Sequence, residues 1–474
     1  MTPSTLSVKE YTEAHAGKYD TWHKRNSYYY QSLERWFQFI VPAKASVFEL
    51  GMGDGSLAAS LQPERLSGID ISPSMVAKAK ERNPNGNWIE GDAIKDLPET
   101  EAFDYVIGAD FLSYSEDIQT VLEQARTLCH ARTRLVFTKV NPFWNIPMRI
   151  AARLGLAQPR KYASWLGLRQ TARLMELAGL DVIRTGKFCL LPIYIPLVSN
   201  FVNRYIARLP LIRRLCAIEY LIARPNPFTQ TLKATPSLSV VIPARNESGN
   251  IRAALERMPS FPGALEVIFI EGHSKDDTWK RIQEVAAEKW PFSVVYAQQT
   301  GKGKGDAVRK GFDMATGDIL MILDADLTVT PETLPKFYDI LAKRITDYVQ
   351  GTRLVYPMES RAMRPLNWLG NQFFGITLSA LLGQTFSDTL CGTKCLWKSD
   401  YEQLSRARSY FGNFDPFGDF DLIFGAAKLN LKMQEIPIHY KDRTYGETNI
   451  NRFRDGWLLI RMCAFAAKKL YFIK

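Results

Sequence analysis

Two aspartates with a single residue between them, Asp324 and Asp326, follow the apolar run D-I-L-M-I-L at 318–323. Such an acid pair at the end of a predicted strand can reach one divalent cation, directly or through water. Mg²⁺ or Mn²⁺ suits carboxylate and phosphate oxygens, and either cation can neutralise the charge on a diphosphate leaving group. Because an isolated D-x-D is common on protein surfaces, its meaning depends on the motifs around it.

A lysine–glycine loop, T-G-K-G-K-G-D at 300–306, precedes a predicted helix that begins near Ala307. Lys302 and Lys304 make it a flexible cationic loop suited to phosphates. Glu271 ends another predicted strand, where a carboxylate can accept hydrogen bonds from a base or a ribose. Motifs at successive strand ends therefore predict a site for a nucleoside diphosphate.

The N-terminal half also contains a motif that combines glycines with acids. The predicted strand S-V-F-E-L at 46–50 runs into G-M-G-D-G, where glycines let the backbone turn tightly and approach a ligand. A helix N-terminus with free N–H groups follows. An acid at the end of the next strand can accept both ribose hydroxyls, and a third strand ends where an adenine edge would lie. The candidate cofactor-binding residues are Glu49, Gly51, Gly53, Gly55, Asp70 and Asp92.

The elements around these motifs alternate short apolar runs with helical patterns, which is typical of parallel α/β sheets. A chain of 474 residues is too long for one ordinary core. We predict an N-terminal domain at 1–187, a basic, apolar, Pro-rich linker segment at 188–236, and a C-terminal domain at 237–474.

Positive charge is concentrated in one stretch. The chain carries a net charge of +11, and residues 141–235 hold 14 Lys/Arg against 3 Asp/Glu. Arginines interleaved with apolar residues can bind an anionic membrane surface, or they can form the solvated face of an ordinary linker, and both interpretations stay open. The absence of a recognisable binding module argues against nucleic acid.

Targeting signals and cysteines are uninformative. No apolar run reaches the ~18–20 residues that span a bilayer, and the first residues lack a signal-peptide pattern. We therefore expect a cytoplasmic protein without a transmembrane helix, with peripheral attachment to the cytoplasmic face of the membrane as an alternative. The six scattered cysteines predict neither a disulfide framework nor a zinc site.

The C-terminal motifs together resemble family-2 glycosyltransferases of the GT-A fold, and most closely the polyprenyl-phosphate sugar transferases. The resemblance spans 238–452 and rests on V-V-I-P-A-R-N-E, E-G-H-S-K-D-D-T, G-K-G-K-G-D-A-V-R-K-G-F, L-D-A-D-L-T and D-T-L-C-G-T-K. It implies metal-dependent, inverting transfer of a sugar from a nucleotide-diphosphate sugar to a polyprenyl phosphate or another lipid-linked or glycan acceptor. The family's nucleotide contacts fall on Pro243, Ala244, Glu247, Glu271 and Asp306, and its metal ligands on Asp324 and Asp326.

One departure concerns the nucleobase: members of this family commonly have D-D-G-S where this chain has E-G-H-S, which leaves uridine and guanosine both open. On the acceptor side, Asp419 and Asp421 fall where the family places acids. A hydroxyl acceptor needs a general base and a phosphate acceptor does not, so Asp419 is either a base or a structural acid. Arg443 resembles a basic loop that closes over phosphates. Arg353 is a further nucleotide-sugar candidate, with a structural ion pair as its alternative.

The N-terminal motifs E-L-G-M-G-D-G, G-I-D-I-S, E-G-D-A and F-D-Y-V-I-G resemble class I S-adenosylmethionine-dependent methyltransferases with a Rossmann-like fold. The resemblance implies that S-adenosylmethionine is bound by the glycine turn, by Glu49 and by Asp70, with Asp92 near the adenine. A nicotinamide-binding domain would have G-x-G-x-x-G, whereas this chain has G-x-G-x-G with Glu49 in front, which favours the methyltransferase. No catalytic base is evident in the motifs. Side chains available for that role are His15, His23, Tyr28 and His130.

The sequence thus predicts a bifunctional enzyme with two α/β domains. Two alternatives remain. One is a glycosyltransferase whose methyltransferase-like domain is a non-catalytic scaffold, and the other is a non-enzymatic, membrane-associated interaction protein.

Overall fold

The computed structural model describes residues 9–10, 12–13, 16–17, 19–98, 102–115, 117–153, 166–227, 235–355, 365–406, 420–440, 445 and 452–471. The chain divides into two compact units, Met1–Gln230 with Phe472–Lys474, and Thr231–Tyr471. Each unit is built on a mixed sheet flanked by helices, so the predicted α/β class is confirmed in both.

The sheet of the first unit has the strand order β3-β2-β1-β4-β5-β7-β6. Pairing is parallel from β3 to β5, whereas β7 runs antiparallel to both β5 and β6. The order reverses direction between β1 and β4, and open α/β sheets bind ligands at such a switch point. The strands are β1 (Ser46–Leu50), β2 (Arg65–Asp70), β3 (Asn87–Glu90), β4 (Phe103–Ala109), β5 (Cys129–Val140), β6 (Leu180–Phe188) and β7 (Ile218–Pro225).

Helices cover both faces of this sheet, and each face has its own apolar core. Phe37 and Trp36 pack on one face, and Leu122 and Phe137 on the other. The helices of the first unit are α1 (Tyr19–Arg25), α2 (Ser27–Ile40), α3 (Ser56–Ser60), α4 (Pro73–Arg82), α5 (Ile118–Thr127), α6 (Asn145–Arg153), α7 (Leu168–Leu177) and α8 (Val198–Arg204).

Residues 188–236, which the sequence predicts as a linker, require a correction. The segment contains β7, which lies between β5 and β6 and is buried along its whole length. Its charged side chains are paired inside the unit: Glu219 lies 2.6 Å from Lys139 and 2.7 Å from Lys187, and Arg224 lies 3.2 Å from Asp181. Most of this segment therefore belongs to the first unit.

The sheet of the second unit has the order β10-β9-β8-β11-β13-β12-β14. Strands β10, β9, β8 and β11 are parallel, and β13 runs antiparallel to its neighbours β11 and β12. Here the order reverses between β8 and β11, which places the expected ligand site at their carboxyl ends. The strands are β8 (Leu238–Ala244), β9 (Leu265–Glu271), β10 (Ser293–Gln298), β11 (Ile319–Ile322), β12 (Tyr348–Thr352), β13 (Lys394–Trp397) and β14 (Met433–Pro437).

A continuous apolar core, which includes Val240, Phe269, Met321 and Phe337, supports this second sheet. In the described parts of the chain, no helix is both long and apolar enough to cross a membrane. The helices of the second unit are α9 (Ile251–Glu256), α10 (Thr278–Ala286), α11 (Lys304–Met314), α12 (Leu334–Ala342), α13 (Pro365–Leu382), α14 (Lys398–Arg406), α15 (Phe420–Lys428) and α16 (Arg452–Ala466).

Candidate functional sites

The glycine turn of the first unit follows β1, at the switch point of the sheet. Gly51, Gly53 and Gly55 all have positive φ, between 56° and 69°. A side chain at Gly51 would overlap the Phe111 ring, so the turn needs glycine for both its conformation and its space. The turn leads directly into α3, for which Gly55 is the N-cap residue.

Two buried carboxyls hold this turn in place. Asp70 Oδ2 accepts a hydrogen bond from Gly53 N at 2.9 Å, and Oδ1 accepts one from Ser72 N at 2.9 Å. Glu49 Oε2 accepts a bond from Ala58 N at 3.1 Å. Burial raises the pKa of Glu49 to about 8 and that of Asp70 to about 6. Both predicted residues therefore lie at the turn and shape it.

Asp92 is the third predicted acid of this site. Its Oδ1 accepts a bond from Ile94 N at 3.0 Å, whereas its Oδ2 is buried without a hydrogen-bond partner in the described residues. A buried carboxylate oxygen without a donor is costly, and a ligand amine would satisfy it. The residues present thus fit an adenine-bearing cofactor whose amino group donates to Asp92.

Residues near the N-terminus contact the elements of this site, and these contacts were not predicted. Arg82 pairs with Asp54 in the glycine turn and, at 2.8 Å, with Asp20. Tyr19 OH lies 3.5 Å from Asp54 Oδ1, and Glu13 accepts a bond from Ser74 Oγ at 2.6 Å. These contacts join residues far apart in the sequence, so spacing alone could not reveal them.

His23 and His130, which the sequence offers as candidate bases for methyl transfer, lie in different parts of the first unit. His23 stacks on Tyr30 at 4.0 Å between ring centroids, and His130 lies 3.4 Å from Asp104 at the opposite end of β4 from the switch point. A stronger candidate for the base is the pair formed by Tyr29 and Asp110 at the switch point, where the Tyr29 OH donates to Asp110 Oδ2 at 2.5 Å. His15 lies outside the described residues.

In the second unit, the lysine–glycine loop and the D-x-D acids meet at the carboxyl edge of the sheet. Lys304 Nζ lies 2.6 Å from Asp324 Oδ1. Asp306, two residues further along α11, accepts a hydrogen bond from Gly301 N at 2.8 Å and so fixes the loop. Lys302 is exposed on the same loop. A side chain at Gly392 would overlap the Asp324 carboxylate, so the D-T-L-C-G-T-K segment lies against this pair.

The two carboxylates of the D-x-D motif differ in environment. Burial raises the pKa of Asp324, but the charges of Lys304, Lys394 and Arg353 lower it by more, so the group stays ionised. Asp326 is buried, and its Oδ1 accepts a hydrogen bond from Thr328 N at 3.1 Å.

These two acids fit a divalent cation that is shared with a diphosphate. Mg²⁺ in such sites takes one or two protein carboxylates, and phosphate oxygens and water complete its coordination. The described residues contain no cluster of three or more His, Cys, Asp or Glu that could hold a metal by itself. A cation here would therefore depend on the nucleotide for its remaining ligands.

The predicted nucleotide contacts surround this edge. Pro243 and Ala244 end β8 at the switch point, and Glu247 Oε2 accepts a bond from Asn250 Nδ2 at 2.7 Å. Glu271, buried at the end of β9, accepts bonds from Ser274 N at 2.5 Å and Gln298 Nε2 at 3.0 Å. Burial raises its pKa, and these hydrogen bonds lower it by more.

Arg353 is held by a buried acid. Its Nε and Nη2 donate to the two carboxylate oxygens of Asp388 at 2.6 and 2.8 Å, in a bidentate pair. Asp388 is fully buried. This geometry matches the structural ion pair that the sequence left open as the alternative, and the pair joins the end of β12 to the D-T-L-C-G-T-K segment.

The acceptor-side candidates are only partly described. Asp421, at the start of α15, lies 3.8 Å from Arg309 on α11, the helix that Lys304 begins. Tyr445 OH lies 3.1 Å from Ser248 Oγ, in the turn after β8. Asp419 and Arg443 lie outside the described residues, and their roles stay predictions.

Comparison with protein families gives two matches. Residues 239–404 match the glycosyl transferase family 2 model, and residues 47–131 match a methyltransferase domain model. The first segment covers β8 through α14 and the second covers β1 to the start of β5.

Curated relatives match the second unit. A low-salt glycan biosynthesis hexosyltransferase, Agl6, of Haloferax volcanii is 31% identical over 48% of this chain and 52% of its own. A dolichol-phosphate mannosyltransferase of Pyrococcus furiosus is 34% identical over 25% of this chain and 33% of its own. The matched region thus spans about half the length of the first relative and a third of the second.

Among solved structures, an S-adenosylmethionine-dependent methyltransferase of Thermotoga maritima aligns with a TM-score of 0.37 and 15% identity, over 46% of this chain and 99% of that chain.

Proposed function

We propose that this chain, which contains a methyltransferase domain and a family 2 glycosyl transferase domain, transfers a sugar from a nucleotide-diphosphate sugar to a polyprenyl phosphate. The observation that carries the proposal is the contact between Lys304 and Asp324, because it brings a phosphate-binding loop and a metal-binding motif to one sheet edge. The dolichol-phosphate mannosyltransferase among the relatives favours a polyprenyl-phosphate acceptor.

The chemistry requires little from the protein beyond positioning and charge. An anionic oxygen of the acceptor phosphate attacks the anomeric carbon, and the bond from that carbon to the donor diphosphate breaks on the opposite face. The nucleoside diphosphate leaves with the electron pair of that bond. Because attack and departure occur on opposite faces of the anomeric carbon, the sugar configuration is inverted. No base has to remove a proton from an ionised phosphate, which makes Asp419 dispensable as a base in this reaction.

The residues of this chain would stabilise the negative charge of the leaving diphosphate. A divalent cation, if bound at this edge, would neutralise the charge of the diphosphate. Asp324 and Asp326 would hold that cation, and Lys304 would contact the diphosphate directly, as an ammonium donor. Glu271 and the turn after β8 would bind the nucleoside.

The test is product formation by the full chain. We expect sugar from one UDP- or GDP-sugar to appear on a short polyprenyl phosphate with Mn²⁺ and not with EDTA. Asp326→Ala should remove this activity, whereas Asp339→Ala, a change to an exposed acid on α12, should not. A wild-type chain that binds donors but glycosylates only free alcohols would contradict the polyprenyl-phosphate acceptor.

We also propose that the first unit binds S-adenosylmethionine and methylates a sugar or lipid of the same pathway. The cofactor's reactive methyl needs mainly an in-line nucleophile, so positioning supplies most of the rate. The support is the buried Oδ2 of Asp92, which has no hydrogen-bond partner in the described residues and follows β3 in the same sheet as the glycine turn. Calorimetry should show S-adenosylmethionine binding that weakens at least about tenfold in Asp92→Ala, given the usual worth of a buried charged hydrogen bond. Exposed Glu64→Gln is the control, and no binding by wild type would favour the scaffold alternative.

A lipid-linked acceptor places the reaction at a membrane surface. We therefore propose peripheral membrane attachment on the cytoplasmic face.

A further inference from the structure

Exposed apolar side chains are unevenly distributed over the described residues. Of the 21 large hydrophobic side chains that are exposed, 13 lie in two segments of the first unit, 143–150 and 193–215. We call these two segments the docking surface. Single exposed hydrophobics need no explanation, but a concentration of this kind marks an interaction site.

The docking surface is an ordered part of the fold. Trp144 Nε1 donates to Leu215 O at 2.7 Å, which joins the two segments. Ser199 Oγ donates to Ile193 O at 2.7 Å and accepts from Ile195 N at 2.8 Å, which fixes the apolar turn before α8. The apolar side chains are therefore presented outward by backbone that is hydrogen-bonded in place.

Leu197 is the clearest example. Its side chain is 87% exposed, and its backbone has φ 63°, a conformation that costs free energy for a branched residue. Folding gains little from either property, since the side chain buries only a small part of its area in the unit. A residue held in this way is explained by a partner that covers it.

A basic pocket opens beside this surface. Its volume is about 280 Å³, and it is lined by Arg35, Arg204 and Arg208 together with side-chain amides and Tyr28. No acid is among its lining residues as far as they are described, and Arg204 Nε is buried without a hydrogen-bond acceptor. Guanidinium groups in such a setting fit the oxygens of a phosphate.

Charge and apolar exposure together identify the partner. Residues 188–218 contain four arginines and no Asp or Glu. A second copy of this surface would bring like charges together, and a free phosphate would leave the apolar side chains uncovered. An anionic bilayer satisfies both features, because its acyl region accepts apolar side chains while its headgroups carry phosphate.

We propose that the first unit docks on anionic phospholipid bilayers through the docking surface, with a lipid headgroup phosphate in the arginine pocket. The docking surface gives the methyltransferase unit a membrane contact of its own. It does not depend on the sugar transfer by the second unit, so the two proposals can fail separately.

The experiment is vesicle flotation of the full chain. Wild type should float with vesicles of equal parts phosphatidylcholine and phosphatidylglycerol, and much less with phosphatidylcholine alone. Leu197→Ser with Leu211→Ser should weaken this binding at least about tenfold, because two apolar anchors are lost. Arg204→Gln with Arg208→Gln should weaken it by about fivefold per arginine and reduce its salt dependence.

Matched controls separate this surface from others. Leu177→Ser and Arg132→Gln change an exposed leucine and an exposed arginine of the same unit outside the docking surface, and both variants should float like wild type. Unchanged flotation of the leucine pair or equal binding to both vesicle types would each overturn the proposal. So would light scattering that shows a dimer in wild type and a monomer in the leucine pair, since a second copy would then be the partner.

Discussion

Lys304 Nζ lies 2.6 Å from Asp324 Oδ1, so the first residue of α11 and the acid after β11 meet across the switch point of the second sheet. The ammonium holds the pKa of Asp324 low against the effect of burial. If a diphosphate and its cation bind here as proposed, Lys304 and Asp324 would each gain a partner of opposite charge. The contact therefore joins the two halves of the proposed donor site.

Replacing the lysine tests its role on the diphosphate. Lys304→Met should lower kcat/KM for the sugar nucleotide by about ten- to a hundredfold, because a hydrogen bond to a charged group is lost. Lys343→Met, at an exposed i, i+4 pair with Asp339, should leave the rate unchanged. Steady-state kinetics with the donor varied makes this comparison, and equal rates in the two variants would remove Lys304 from the site.

A substitution at Gly392 tests the packing against the Lys304–Asp324 pair. A methyl group there would overlap both Asp324 and Lys304, so Gly392→Ala should lower sugar transfer at least about tenfold by displacing the proposed cation ligand and diphosphate contact. Gly370→Ala, where a methyl group would meet nothing, is the matched control and should retain full activity. Wild-type transfer by Gly392→Ala would show that the Asp324 position is not critical.

The first unit should lose stability as pH rises. Burial raises the pKa of Glu49 from 4.5 to about 8, so the folded unit binds more protons than the unfolded chain between these values. Stability then falls with increasing pH through this window, by about 1.4 kcal/mol for each unit of pKa shift at most.

Calorimetric unfolding of the full chain over this pH range measures the effect. Glu49→Gln should flatten the pH dependence, and the remaining slope should come from Asp70, whose pKa rises from 3.8 to about 6. Glu64→Gln, at an exposed position, should behave like wild type. An unchanged slope in Glu49→Gln would show that this carboxyl is ionised in the folded unit.

The Arg353–Asp388 pair gives a prediction on stability. Arg353→Met should destabilise the second unit by about 3–5 kcal/mol, because Asp388 is left buried and uncompensated. Adding Asp388→Asn should recover part of the loss. Arg257→Met, which breaks an exposed pair with Glu332, should cost less than about 1 kcal/mol. Urea unfolding distinguishes these values, and a small loss in Arg353→Met combined with weaker donor binding would return Arg353 to the phosphate site.

The meeting of Lys304 and Asp324 could be predicted because both follow parallel strands, whose carboxyl ends share one edge. The glycine turn was predictable for the same reason, since Gly51 and Asp70 follow adjacent strands. In each case the local pattern of strand, turn and helix fixes which end of the sheet a residue reaches.

The strand at 218–225 could not be predicted in this way. Its run I-E-Y-L-I-A-R-P lies in a basic, apolar, Pro-rich stretch, which predicted a linker segment. Only the fold supplies the distant partners of Glu219 and Arg224, which are Lys139 and Asp181. Arg82 over the glycine turn is similar, because its partner Asp20 lies far away in the sequence. Ion pairs between residues that are far apart in the sequence cannot be predicted from local periodicity.

The most direct test of the donor site is a calorimetric titration of UDP and GDP into the full chain, with and without Mn²⁺. We expect one of the two nucleotides to bind at least about tenfold more tightly with the cation, as shared coordination of a diphosphate requires. Asp324→Asn and Asp326→Asn should abolish this difference. Nucleotide binding of equal strength in the wild type and both variants, with or without Mn²⁺, would contradict the assignment of this edge as the donor site.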